Sequence, residues 1–202
     1  MMDQTDFYVH PSADVARTAQ VGAGSKVWHQ AQIMPHARLG LECIVGKGAF
    51  IGASSLIGNK VKIGNYANIF RAVIGDEAFI GPQVLVICDP SPRSTNADGI
   101  LKRGPNEFVE MPPTILIGAS IGAGAIIAPG VTVGTYSLVA IGSIVHKDVP
   151  DYARVAGNPA RHLGFACRCG LALELPAVAG DLACQCRLRY NWTGLALRPV
   201  AD

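Results

Sequence analysis

The sequence predicts an all-β chain whose main body is a parallel β-helix of hexapeptide repeats, and three observations carry that expectation. Aliphatic residues recur at every sixth position without a break from Val9 and Val15 through Ile33 and Ile51 to Ile69. Glycine or alanine often follows the aliphatic (Ala16, Gly22, Gly40, Gly46), and the slot four residues on is mostly small (Ala13, Ala19, Ser25, Ala31). A period of six matches neither the helical 3.6 nor plain strand alternation, and it is the signature of a coiled repeat. Three hexads make one triangular coil of 18 residues, with coils stacked at the strand spacing of about 4.8 Å.

The aliphatic fills a narrow prism, while the small residues let the chain turn a corner every six residues without a clash. The phase slips once, where Ile69 is followed by Ile74 after five residues, which predicts a tightened corner. After Val86 the pattern dissolves into a proline-rich stretch, then resumes at Ile115 and holds through Ile121, Ile127, Val133, Val139 and Val145. An insertion of that length inside so regular a repeat is expected to serve function or assembly. The predicted organisation is a β-helix over 9–150 with a loop insertion at 87–114. A capping segment follows at 151–166, formed by a short helix or a loop over the last coil, and then a small cysteine-containing ribbon at 167–202.

Half of the 202 residues are hydrophobic and only 16% are charged, which suits one compact domain with an appendage. A net charge of +2, evenly spread, argues against nucleic acid or a membrane surface as partner. The N-terminal stretch MMDQTDFYVHPSAD has early acids and no apolar run, so neither a signal peptide nor a membrane span is expected there, and the cytoplasm is the default compartment. Four of the six cysteines cluster as Cys167-x-Cys169 and Cys184-x-Cys186. Two close pairs separated by a hairpin-length segment suit a four-thiolate structural zinc, although the usual knuckle is C-x-x-C; reduced free thiols are the alternative.

Several blocks resemble the left-handed β-helix acyltransferases. They are the hexads, the interrupting loop and the ending HKDVPDYARVAGNPARHLG. Within that superfamily, VWHQAQIMPHARLG at 27–40, NKVKIGNYANIF at 59–70, GPQVLVICDPSPRS at 81–94 and the trailing CRCG are similar to the nucleotide-linked 3-amino-sugar N-acetyltransferases of O-antigen (lipopolysaccharide) biosynthesis. The resemblance implies a homotrimer, acetyl-CoA as co-substrate in the cleft between neighbouring helices, and a nucleotide-linked amino sugar as acceptor. Two stretches depart from the family pattern. Gly64-Asn65-Tyr66 stands where Gln-Asn-Asn is usual, and Ile87-Cys88-Asp89 where Phe-Thr-Asn is usual, so the acceptor sugar stays open.

Acetyl transfer to an amine needs a neutral nucleophile, a donor for the developing oxyanion and a route for one proton. Asp89, where the loop leaves the repeat, is the leading catalytic candidate; as a residue before Pro90 it also suits a plain turn. His29, which the resemblance places at the acceptor, is the second, with His36 behind it and His146 read as a solvated corner. Asn65, Asn68 and Arg71 at the irregular coil, and Arg93, Lys102 and Arg103 on the loop, are candidates for substrate binding. Ala128, Gly130 and Gly142 offer small side chains for a pantetheine track. Lys147, Arg154 and Arg161 offer cations for the CoA phosphates, with ordinary solvated charge as the alternative for each. Competing readings are an O-acetyltransferase, a non-catalytic scaffold, and a γ-carbonic-anhydrase-like protein. The last needs three histidine ligands, and the histidines at 10, 29, 36, 146 and 162 include no close pair in the sequence.

Overall fold

The computed structural model describes residues 6–104 and 107–200, so residues 105–106 of the expected loop, the first five residues and the last two of the ribbon lie outside the described residues. Twenty two-residue strands, β1 (Tyr8–Val9) to β20 (Ile144–Val145), form three parallel faces. Pairing is offset by one coil: Tyr8 lies over Lys26 and Val9 over Val27 on the first face, and Asp14 over Gln32 on the second. The result agrees with the parallel β-helix that the hexads predict and with the left-handed coil that the resemblance implies. No helix of the described residues is long and apolar enough to cross a membrane.

Two residues per strand suffice because each strand only has to aim one side chain inwards. The second residue of the strand is that side chain, and Ile51, Ile69, Ile80 and Ile127 are all fully buried. Each such burial contributes roughly 1.5–3 kcal/mol. The small slot is also interior, since Ala31, Ala49, Ala67 and Ala119 are fully buried at the corners. Most of these slots hold alanine or serine, and where valine stands instead, at Val61, Val84 and Val131, it too is packed beneath the turning backbone.

Three edges run the length of the prism. The first lies between the first and second faces, the second between the second and third, and the third closes the triangle. Both irregularities of the repeat fall on the second edge. The five-residue spacing becomes a three-residue corner, 70–72, between β11 (Asn68–Ile69) and β12 (Val73–Ile74). The insertion leaves one coil further on, between β14 (Leu85–Val86) and β15 (Thr114–Ile115). Since β11 pairs with β14 and β12 with β15, the loop springs from directly beside the tightened corner.

Residues 151–166 form strands rather than the expected short helix or loop. β21 (Ala153–Ala156) pairs in parallel with β19 (Leu138–Val139), extending the first face, and β22 (Arg161–Ala166) folds back antiparallel on it. The reason is visible in ARVA: its alternating burial seats Val155 over Val139, so the segment continues the sheet without a hexad. β23 (Ala172–Leu173) pairs with β22. A separate antiparallel sheet follows, of β24 (Gly180–Ala183), β25 (Arg189–Trp192) and β26 (Leu197–Pro199).

Candidate functional site

The root of the loop is the chemically densest part of the second edge. On leaving, Cys88 is buried and its main-chain carbonyl accepts the Met111 N–H at 2.7 Å; the Met111 carbonyl in turn accepts Gly130 N–H at 2.7 Å from the next corner. Met111 therefore ties both limbs of the loop to the coil after it. Glu110, beside Met111, pairs its carboxylate with the Arg71 guanidinium on the tightened corner. Burial, and then the charge of Glu110, push the Cys88 thiol up, so it stays neutral. Glu110 was missed in the sequence; nothing in EFVEMPP marks one acid over another, and only folding carries it to a residue 39 positions away.

Asp89 stands at this root, half-buried, with Oδ1 accepting the Ser91 N–H at 2.8 Å. It therefore makes the turn that its place before Pro90 suggests. Beyond it the chain forms a small hairpin, with Thr95 bridged to Leu101 and Asn96 Oδ1 accepting N–H groups from Asp98 and Ile100. Arg93 is exposed on the outgoing limb. Lys102 lies 5.3 Å from the Phe108 ring centroid, a cation–π contact. Arg103 and Gly104 donate their backbone N–H groups to Glu107 Oε2 at 2.8 and 2.7 Å, which holds that carboxyl below its ordinary range.

Ala128, Gly130 and Lys147 share the second edge with Asp89 and Arg71, on the two coils after the loop. Ala128 and Gly130 carry little side chain, but the Met111 methyl covers Gly130, 2.9 Å from where a Cβ would stand, and both amides are already used: Ala128 N–H donates to the Val145 carbonyl and Gly130 N–H to Met111. Gly142 sits on the first edge at φ +64°, a left-handed conformation that favours glycine, and its N–H donates to Ala123. A ligand along this wall would meet side chains and carbonyls rather than free amides.

The remaining candidates are spread out. Arg154 is on the first face opposite Leu138, and Arg161 is exposed at the start of β22. Asn65 occupies the first edge, where Oδ1 accepts the Lys47 N–H at 2.9 Å, the corner role its residue type suits. Asn68 is half-buried on the second face and donates to the Tyr66 carbonyl at 3.0 Å. His36 and His146 are exposed on the second edge, His36 at a left-handed corner. His29 lies on the first edge, three coils before Asp89, so one chain does not bring the two catalytic candidates together.

His29 has a neighbour that the sequence did not reveal. Its ring stacks on His10 with centroids 3.5 Å apart, because the two residues occupy the same corner of successive coils. Desolvation, and then the charge of His29, hold His10 below its usual value. Among the described residues the pair gains no third histidine, cysteine or carboxylate within metal-binding range.

A cleft of about 830 Å³ opens at the first coils, lined by Phe7, Tyr8, Trp28 and Leu41 with Lys26 and Glu42. It lies on the first face and the adjoining third edge, away from the loop root, and holds none of the candidate residues. The charged and interrupted elements meet at the loop root, which is the candidate site.

The four C-terminal cysteines do converge. Their sulfurs lie within 4.8 Å of one another, with Cys167 to Cys186 at 3.5 Å and Cys169 to Cys184 at 3.7 Å. A tetrahedral zinc at about 2.3 Å from each sulfur requires a sulfur–sulfur edge of about 3.8 Å. The set fits that ion, whereas disulfides would need pairs at about 2.05 Å.

No protein-family model matches the chain. It is 44% identical over 75 residues to the dTDP-3-amino-3,6-dideoxy-alpha-D-galactopyranose 3-N-acetyltransferase of Aneurinibacillus thermoaerophilus, covering 37% of this chain and 38% of that one. It is 36% identical over 92 residues to the galactoside O-acetyltransferase of Escherichia coli, covering 46% and 43%. The chain thus spans less than half the length of these relatives, both of which are acetyltransferases. The solved structure of AntD, an N-acyltransferase from Bacillus cereus in complex with dTDP and 3-hydroxybutyryl-CoA, superposes on 78% of this chain and 82% of its own at 19% identity and a TM-score of 0.48. At that score it assigns no residue here. The chain resembles the hexapeptide-repeat acyltransferases, in sequence blocks and in fold.

Proposed function

We propose that this chain is an acetyl-CoA-dependent N-acetyltransferase acting on the amine of a nucleotide-linked 3-amino sugar destined for a surface polysaccharide. The observation that supports it most is the second edge itself, which aligns a half-buried carboxylate, a cation and a small-residue wall around the root of an inserted loop. Similarity to acetyltransferases of amino-sugar and hydroxyl acceptors supports the donor more strongly than the acceptor.

In this reading acetyl-CoA lies along the second edge, with pantetheine against Ala128 and Gly130 and a CoA phosphate near Lys147. Asp89 Oδ2 accepts a proton from the acceptor's ammonium, leaving the neutral amine as nucleophile. The C–N bond forms, the C–S bond breaks, and the departing CoA thiolate takes up the proton the amine sheds. Arg71, Arg93, Lys102 and Arg103 supply positive charge for the acceptor's diphosphate. Within one chain His29 is far from Asp89, and a homotrimer is proposed in which the first edge of one chain faces the second edge of its neighbour. The same proposal places one zinc ion, as a structural part, on the four C-terminal cysteines. Residence in the cytoplasm, where acetyl-CoA and nucleotide sugars are both present, goes with it.

The test is to incubate purified full-length protein with acetyl-CoA and a panel of UDP- and dTDP-linked 3-amino sugars, following free thiol release. Release with one amine, together with a rise in Tm on adding acetyl-CoA, is expected. Acetyl-CoA binding with turnover only on hydroxyl acceptors would replace the reading by O-acetylation; no binding at all would leave a scaffold.

A further inference from the structure

The cysteine cluster is built into its surroundings in a way that acyl transfer does not require. Its two halves repeat one turn. In Cys167–Leu171 the Cys167 N–H donates to the Leu171 carbonyl at 2.8 Å and Gly170 N–H to the Cys167 carbonyl at 2.8 Å. In Cys184–Leu188 the Cys184 N–H donates to Leu188 at 2.9 Å and Arg187 N–H to Cys184 at 2.8 Å. Gly170 and Arg187 hold matching left-handed conformations, φ +91° and +76°. A non-glycine residue in that conformation costs about 1 kcal/mol or more, which something must offset at Arg187.

The cluster also joins two parts of the molecule. Cys167 and Cys169 follow β22, on the end of the β-helix, while Cys184 and Cys186 sit between β24 and β25 of the separate sheet. Tyr190, on β25 and almost wholly buried, has its hydroxyl 3.1 Å from Cys167 Sγ and accepts the Arg168 N–H at 2.8 Å. Its ring meets Tyr152 edge-on at 5.7 Å, and Tyr152 stacks on Tyr136 at 5.9 Å. Arg168, between the first two cysteines, lies 4.9 Å from the Tyr136 centroid and 3.7 Å from Glu77 on the third edge. Four thiolates around a divalent ion leave two net negative charges, and Arg168 and Arg187 lie within the two turns.

We propose that the zinc-filled cluster is the clamp that docks the β24–β26 sheet onto the last coil and so caps the open end of the β-helix. It rests on the zinc placed there above. The Tyr190 hydroxyl donates to the Cys167 thiolate as an outer-shell partner, orienting that ligand and linking the metal to the tyrosine column. A β-helix end exposes unpaired backbone and apolar side chains, and a cap of this kind covers both.

The experiment uses the purified full chain. Metal content is measured, cobalt(II) is substituted to read the thiolate absorption bands, and hydrogen exchange is followed before and after removing the metal with a strong chelator. One zinc per chain is expected, with exchange after removal accelerating in 167–200 while β10–β17 stay protected. Cys184→Ser with Cys186→Ser should reproduce the loosened tail. Tyr190→Phe should keep the metal but bind it about tenfold more weakly. Absence of bound metal would overturn the zinc and the clamp together. Bound metal whose removal leaves exchange in the tail unchanged would overturn the clamp and leave the zinc standing. Acetyl-CoA binding is scored separately and bears on neither.

Discussion

Arg71, on the tightened corner, and Glu110, 39 residues further on in the returning limb of a 27-residue detour, pair guanidinium with carboxylate at the root of the loop. The pair closes the loop against the tightened corner and holds the only cation of that corner at the candidate acceptor site. Both side chains are about 40% exposed, so the pair contributes less than about 1 kcal/mol to stability. Arg71→Ala is therefore expected to lower Tm by less than about 3 °C. It should raise KM for the nucleotide-linked amino sugar about tenfold, the loss of roughly 1.4 kcal/mol, and leave KM for acetyl-CoA alone. Steady-state kinetics with each substrate varied in turn decide it, and a change confined to the acetyl-CoA KM would move Arg71 out of the acceptor site.

Asp89 carries two readings that one pair of variants separates. Asp89→Asn keeps an oxygen for the Ser91 N–H and hence the turn; Asp89→Ala removes it. A carboxylate that accepts the amine's proton predicts a fall in kcat of about a hundredfold or more in both. Retention of turnover by the asparagine variant alone would reduce Asp89 to a turn residue.

Gly52 lies one coil before the three-residue corner, and a Cβ there would run into the Phe70 carbonyl. Backbone cannot yield as a side-chain tip does, so Gly52→Ala should cost about 1–3 kcal/mol. Gly124→Ala is the control: it has open space and pays only for its φ of +67°. Equal losses of stability in urea unfolding would contradict the close approach.

Ser55 fills a small interior slot, and its buried hydroxyl has no hydrogen-bond partner among the described residues. The slots one coil away on either side are Ala37 and Ala72, both buried. Leaving a buried hydroxyl unpaired costs about 1–3 kcal/mol. Ser55→Ala should then raise Tm by a few degrees, and a fall in Tm would show that the hydroxyl is satisfied in solution.

The His10–His29 stack carries a pH dependence of known sign. Folding lowers the pKa of His10, so the unfolded chain takes up that proton first. Stability contributed by neutral His10 is present above the ordinary histidine value of about 6.5 and is lost as pH falls through it, levelling off below the lowered folded value. Chemical unfolding of the parent and of His10→Phe across pH 5 to 8 should show this component in the parent only.

Much of the fold is legible in the residues because a β-helix reuses one local rule. An inward aliphatic every six positions, with a mostly small corner residue four places on, specifies the coil wherever they occur, and the aliphatic series from Val9 to Ile69 is unbroken. Even the two breaks could be placed by counting from Ile69 to Ile74 and from Val86 to Ile115. The candidate site was legible only in part, since Asp89 and Arg71 stand at those breaks while Glu110 and Met111 look like ordinary loop residues. His10 and Tyr190 were equally hidden, for each acquires its meaning from a partner on another coil or another sheet.

The sequence by itself determined the repeat, the position of the insertion and the inventory of thiols, because those depend on spacing along the chain. The tertiary structure decided what the 18-residue offset stacks together. It set Arg71 against Glu110, His10 against His29, and four sulfurs on one point beside Tyr190. It also turned 151–166 into a continuation of the first face, since Val155 could bury itself over Val139 without any hexad to announce it. Local periodicity fixes the path of a coil, whereas contacts between coils depend on register, which becomes visible only once the chain has closed on itself.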